Sequence, residues 1–451
     1  MNNSNAPQPP ALVRWGVLLV ISLAMMGNYY IYDSISPLAD MLKSQLGYSD
    51  TAIGMLNAIY SIPNIFMVLI GGIIIDRIGT KKAALIFTFL VMLGALVTCF
   101  KGNFYLMATG RLIFGLGAES MIVAITTSIA RWFKGKEFSF AFGINLTIAR
   151  IGSFMALNSP SWAKSFYNDG WQYPLYLAAA TGVIAILCLL IYYFIDSYSE
   201  KRYNLAKEGN TDKVEWKELF KFSKSFWYIS MLCIVFYAAM FPFQTFAVKF
   251  FQDVHHTSRD TGGFLSSLLT LTAMVCTPLF GLLSDYIGRR SYLMMLGSIL
   301  IVPVYLMMGY QFDIASFLGL TEMMHIKISF LSIDTIISPN IFIPMMLMGL
   351  SFSLIPAVMW PSVALVTESS RLGTAYGLMT MIQNIGLAGF NLLIGYTNDV
   401  FHAGKENPLG YLPGMWIFSI CGILGIIFAL LLRNSARTTK EYNLDKPNRE
   451  N

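Results

Sequence analysis

The chain has 451 residues, 55% of them hydrophobic and only 12% charged, with a formal net charge of +6 and a mean hydropathy of +0.58. That composition excludes an ordinary soluble globular protein. The positive balance sorts with membrane side, which excludes reading it as a nucleic-acid footprint.

Residues 1–10 are polar and proline-rich, and the first apolar run ends without a small-residue cleavage site, so the first span is expected to remain rather than leave as a signal peptide. Ten stretches of at least 18 residues contain no Asp, Glu, Lys or Arg: 15–32, 51–75, 83–100, 171–195, 225–248, 261–284, 291–312, 335–367, 372–398 and 407–432. Each can cross about 30 Å of hydrocarbon as a helix. Two further apolar segments, 102–130 and 138–163, are broken only by Arg111 and Glu119 in the first and Arg150 in the second. Twelve spans of an all-α membrane protein are therefore expected. Cys99, Cys188, Cys233, Cys276 and Cys421 fall within or at the edges of spans and read as small apolar core residues, not as a disulfide framework.

With the N-terminus cytoplasmic, 22 of the 31 Lys and Arg residues lie on the inner side and 7 on the outer side. The positive-inside bias then places both termini in the cytoplasm. The longest inner loop, within residues 196–225, carries charged and aromatic residues near helical spacing and is expected along the membrane surface. It separates a six-helix half at 1–195 from a second at 226–451, which includes a cytoplasmic tail at 433–451. The halves repeat. Asp76 and Asp285 occupy matching turns 209 residues apart, whereas GINLTIARIGS and GLMTMIQNIGL align with a shift of 234. The difference locates an outer insertion at 311–340, read as an interfacial hairpin or lid. Two pseudo-symmetric six-helix halves are the architecture expected of a secondary transporter.

At GGIIIDRIGTKK (Gly71–Lys82), at its weaker echo GLLSDYIGRR (Gly281–Arg290) and at RLIFGLGAE from Arg111, the chain resembles the signature motifs of the major facilitator superfamily. More narrowly, GRLIFGLGAES, RWFKGKE, ARIGS, FPF (Phe241–Phe243), ALVTESSRLGTAYG and IQNIGLA resemble the branch whose vertebrate members export dipeptides from lysosomes. The resemblance implies dipeptide transport, with the glutamate and arginine matching Glu119 and Arg150 holding the substrate's two ends. Three departures favour a plasma membrane or bacterial inner membrane over a lysosome: no acidic dileucine signal in the N-terminal tail, no N-x-S/T sequon in the outer loops, and the extra outer insertion. An accessory protein is left unassigned, and the chain is expected to act as a monomer in the lipid bilayer.

Glu119 and Arg150 sit near the middles of the fourth and fifth spans, at the depth where such transporters hold substrate. Each charge costs about 2.5–3.5 kcal/mol there on insertion scales. A carboxylate and a guanidinium at one depth form a receptor for a zwitterion, Glu119 accepting from an ammonium and Arg150 clamping a carboxylate. A mutual ion pair across adjacent helices also accounts for both charges, and the two arrangements can alternate. Repeat symmetry places Asn384 opposite Arg150, so the charges come from the first half. Gln383, Asn384, Trp360, Tyr237 and Phe241 in the second half, and Tyr29, Tyr32, Asn57 and Tyr60 in the first, are further substrate-binding candidates, each equally readable as interhelical packing.

Arg111 projects about 80° away from Glu119 on the helix and cannot pair tightly with it. It is assigned to a gate or packing role alongside the conformational latch of Asp76, Arg77, Asp285, Arg289 and Arg290, where a carboxylate can hold a helix N-terminus. His255, His256, His325 and His402 lack metal-ligand companions at useful spacing. No metal, cofactor or enzymatic activity is expected, and with no phosphate-binding loop for ATP, transport must run on gradients. The competing expectations are a proton-coupled symporter of another small organic ion and a non-transporting membrane scaffold.

Overall fold

The structure, a computed structural model, describes residues 9–133, 138–203, 222–320, 323–329, 332–368, 371–438 and 444–445. In chain order the helices are α1 (Ala11–Asp33), α2 (Ala39–Leu46), α3 (Asp50–Ile78), α4 (Thr80–Phe100), α5 (Phe104–Trp132), α6 (Phe138–Leu157), the short α7 (Ser159–Trp162) and α8 (Lys164–Asp169), α9 (Gln172–Arg202), α10 (Lys224–Val254), α11 (Arg259–Ile287), α12 (Arg290–Gly309), α13 (Ile314–Leu318), α14 (Pro339–Val366), α15 (Leu372–Val400) and α16 (Leu412–Thr438). Twelve candidate membrane spans lie among the described residues. The surface loop expected between the halves falls mostly on residues 204–221, outside those described.

Caps and glycines explain where these helices start and how closely they pack. Asn103 opens α5 by accepting from the Tyr105 and Leu106 amides, and Ser258 opens α11 by accepting from Thr261 N. α4 and α5 form the most extensive helix pair of the first half. A side chain on Gly94 or Gly110 would collide with the backbone of the facing helix, at Phe114 and Thr98 respectively.

The insertion folds as α13 followed by an antiparallel hairpin of β1 (Met324–Ile328) and β2 (Ile333–Ile337), with His325 opposite Ile336 and Lys327 opposite Asp334. Alternation is clean on β2, where Ile333, Thr335 and Ile337 are buried and Asp334 and Ile336 exposed. β2 packs on α11.

Contacts divide the chain into two units that do not follow chain order. The first takes residues up to Ile35, Ile59–Ala156 and the chain from Asp169 through α9; here α1 packs on α9, and α4 on α5 and α9. The second takes Ser36–Ala58, Leu157–Asn168 and the chain from α10 onward; here α11 and α12 pack on α14, and α10 on α15 and α16. The N-terminal part of α3 thus belongs with the second unit. Asp399 of α15 accepts from the amides of Asp50 and Thr51 at 2.9 and 2.7 Å, capping that helix from a distant part of the chain.

Candidate substrate site

In the first unit, α1, α3, α5 and α6 bring six of the expected residues into one aromatic and charged cluster. Glu119 lies one residue from the midpoint of α5, and Arg150 lies within a turn of the midpoint of α6. The Tyr60 hydroxyl donates to Glu119 Oε1 at 3.5 Å. The Tyr60 ring stacks on Phe114 at 5.0 Å and tilts against Tyr32 at 4.9 Å. A side chain on Gly115 would strike the Tyr60 carbonyl, so this glycine sets how closely α3 approaches α5 beneath the cluster.

Arg150 sits 5.1 Å from the Tyr29 ring centroid. Arg111 is fully buried; its guanidinium lies 5.4 Å from Tyr60, 5.8 Å from Tyr32 and 5.1 Å from Phe114 and donates to the Ile31 carbonyl at 3.4 Å. It is thus wedged among rings and a helix carbonyl. Asp33 lies one turn beyond Tyr29 and is buried at the end of α1. Sequence reasoning missed Asp33, because a charge-free window ends at Tyr32 and makes the next residue look like a flank.

Asn57 falls in the second unit and donates to Thr245 Oγ1 at 2.9 Å, while Thr245 donates to Asn391 Oδ1 at 2.9 Å. Also in that unit, Trp360 Nε1 donates to the Tyr237 hydroxyl at 3.0 Å, and Phe241 stacks on Tyr237 at 5.6 Å. Asn384 Nδ2 donates to Thr380 O at 3.0 Å, whereas its buried Oδ1 has no partner among the described residues. Gln383 beside it is half-buried.

The latch residues separate into different environments. Asp76, Arg77 and Arg289 are exposed, while Arg290 is buried and donates to Asp285 Oδ1 at 3.0 Å and to the Leu444 carbonyl at 3.2 Å, fixing a piece of the C-terminal tail. Two networks went unforeseen. Arg131 and Lys81 meet Asp196 and Glu200 of α9, and Trp132 Nε1 donates to Asp196 Oδ1 at 2.8 Å. In the second unit, buried Lys249 lies 2.9 Å from Asp50, 3.3 Å from Asp253 and 2.6 Å from the Tyr411 hydroxyl. The signal was present as a Lys and an Asp four residues apart near a helix end, which orientation counting treats as a solvated flank.

Comparison with known proteins decides the family, since the profile of the Major Facilitator Superfamily matches residues 18–333 and 244–450. The chain belongs to that superfamily. Among superfamily relatives, the Lysosomal dipeptide transporter MFSD1 of Danio rerio is 29% identical over 428 residues, 92% of this chain and 86% of that protein. The Bos taurus protein of the same name is 30% identical over 431 residues, 93% of this chain and 85% of that one. A galacturonate transporter of Dickeya chrysanthemi is 26% identical over 181 residues, covering 40% of this chain and 52% of that protein. Among solved superfamily folds, a bacterial homolog of the human lysosomal transporter Spinster aligns with a TM-score of 0.72 at 17% identity, over 96% of this chain and 99% of that one. The chain is a multi-pass integral membrane transporter of a small molecule.

Proposed function

We propose that this transporter carries dipeptides by alternating access, with Glu119 accepting from the peptide ammonium and Arg150 clamping the carboxylate. One observation carries the reading: an acid and a base, each within a turn of the middle of its helix, each meet a tyrosine of the first unit, Glu119 at the Tyr60 hydroxyl and Arg150 over the Tyr29 ring. Matching charges placed where burial is costly favour a ligand that bears both complementary charges. The names of the relatives support the same substrate class. Tyr29, Tyr32, Asn57, Tyr60, Tyr237, Phe241, Trp360, Gln383 and Asn384 belong to the proposal as further substrate contacts. Arg111 with Asp76, Arg77, Asp285, Arg289 and Arg290 belongs to it as the machinery of conformational change. The protein works as a monomer in a plasma membrane or bacterial inner membrane, with both termini cytoplasmic.

The test is a thermal-shift series on purified protein. A free dipeptide raises the unfolding temperature, by an amount equivalent to about 2.7 kcal/mol at a hundredfold excess over Kd. Acetylating the peptide's amine or amidating its carboxylate removes most of that shift, and Glu119→Gln makes the protein indifferent to acetylation. A second reading, a proton-coupled symporter of an organic acid, is favoured by the galacturonate transporter among the relatives. Stabilisation by sugar acids with none by dipeptides of varied sequence would establish that reading and discard the first.

A further inference from the structure

In the first unit, a groove of about 520 Å³ opens between the start of α1 and the end of α9, a volume in the range of small-ligand sites. Leu12 and Gly16 of α1 line one side, and Phe194, Tyr198, Ser199 and Tyr203 at the end of α9 line the other. These are the terminal turns of two membrane spans, so the groove lies at the boundary between hydrocarbon and headgroups on the face that carries the N-terminus. Leu12, Phe194 and Tyr198 are largely exposed, continuing the lipid-facing surface of the two helices.

Two polar features mark the mouth. Arg202 is held between two of the lining tyrosines, 5.9 Å from the Tyr198 ring and 5.8 Å from the Tyr203 ring, and donates to the Tyr198 hydroxyl at 2.6 Å. The arginine is thereby fixed at the groove while remaining open to solvent. Ser199 is buried to 1% exposure, and its hydroxyl has no hydrogen-bond partner among the described residues. A helical serine ordinarily bonds back to the carbonyl four residues earlier, as Ser128 and Ser230 do here. An apolar trough with a spare buried hydroxyl and a pinned guanidinium matches an acyl chain, an ester and a phosphate in succession.

We propose that this groove is a binding site for one anionic phospholipid, its acyl chain lying over Gly16 between Leu12 and Phe194, its ester at Ser199 and its phosphate at Arg202. A side chain on Gly16 would meet nothing within 4 Å, so a leucine there fills the trough without disturbing the helix packing.

Native mass spectrometry of the full-length protein, given equal amounts of phosphatidylglycerol and phosphatidylcholine, tests this directly. The wild type is expected to retain phosphatidylglycerol about fivefold over phosphatidylcholine, the ratio expected for one basic residue near a charged headgroup. Arg202→Gln brings that ratio to about one while lipid is still retained, and Gly16→Leu lowers retention of both lipids. Glycerol phosphate, which lacks a chain, is not retained. Equal retention of the two lipids by the wild type, or an undiminished preference in Arg202→Gln, would overturn the assignment. So would retention of neither lipid, the outcome expected if an adjoining stretch of the chain fills the trough. Dipeptide-induced thermal shifts in both variants stay at the wild-type value, so a failure here is distinct from a failure of the transport reading.

Discussion

Lys249 reaches two carboxylates and a phenol from a position only 3% exposed, so its removal leaves Asp253 buried without its cation and Asp50 with only the half-exposed Lys43 at 3.2 Å. Losing one partner of a buried ion pair typically costs about 3–5 kcal/mol, mostly because the remaining charge stays desolvated. Lys249→Met should therefore lower the thermal unfolding temperature sharply, and adding Asp50→Asn should restore part of the loss; a double variant whose loss is the sum of the single losses would show that the residues do not interact. His255 supplies a pH-dependent counterpart. Its ring packs on Phe250 and Phe251, Nε2 has no partner among the described residues, and burial, helped by neighbouring His256, pushes its pKa down to about 4. The unfolded chain takes up that proton near pH 6.5, so stability falls as pH drops from about 6.5 to about 4, by up to about 3 kcal/mol, and then levels off. His255→Leu should flatten the unfolding temperature over that window. Glu119 and Arg150 stood out in the sequence as candidates because each interrupts an apolar run near its middle, away from either end of its span. Asp33, Asp50 and Lys249 were not, because a charge at the end of a run looks the same whether it meets water or another helix.

Elements were legible to the extent that their hydrophobic period and caps were. The twelve spans follow from apolar length, and at the glycines of α5, Gly110 among them, the structure shows close approach. Gly110→Leu should prevent α4 and α5 from packing, seen as loss of monodisperse protein on size exclusion. Asn103→Ala, which removes only the cap, should cost about 1 kcal/mol. In the insertion, HIKI and IDTII alternate in a way that fits paired strands, and the structure gives a hairpin there. Asp334 on β2 accepts from His325 at 2.6 Å, which holds its carboxyl below the ordinary carboxylate range, with Lys327 adding to the effect. A depressed acid contributes fully above its unfolded pKa near 4 and loses that contribution as pH falls below it. Amide exchange in β1 and β2, compared after correction for intrinsic rates, should be less protected at pH 3 than at pH 6, and Asp334→Asn should remove the difference.

For the whole molecule, the cytoplasmic placement proposed for both termini rests on twelve candidate spans among the described residues and on the Lys and Arg bias. A green fluorescent protein fused to the C-terminus should fluoresce in cells, whereas alkaline phosphatase at the same place should stay inactive; the reverse pattern would invert the orientation. The twofold repeat was visible as matching motifs at two shifts. The grouping of Ser36–Ala58 with later helices was invisible, because it rests on tertiary contacts between residues hundreds apart, which no local pattern encodes.

That grouping bears on how the protein is made. The amide of Asp50 finds its acceptor in Asp399, 349 residues later in the chain. At ordinary rates of synthesis the ribosome takes roughly 20 to 70 s to cover that distance. Throughout that interval the leading turn of α3 lacks its distant cap, and for more than half of it Asp50 has Lys43 but not yet Lys249, 199 residues on. The early spans must wait in the bilayer with one end unfinished, and assembly closes only when the penultimate long helix arrives.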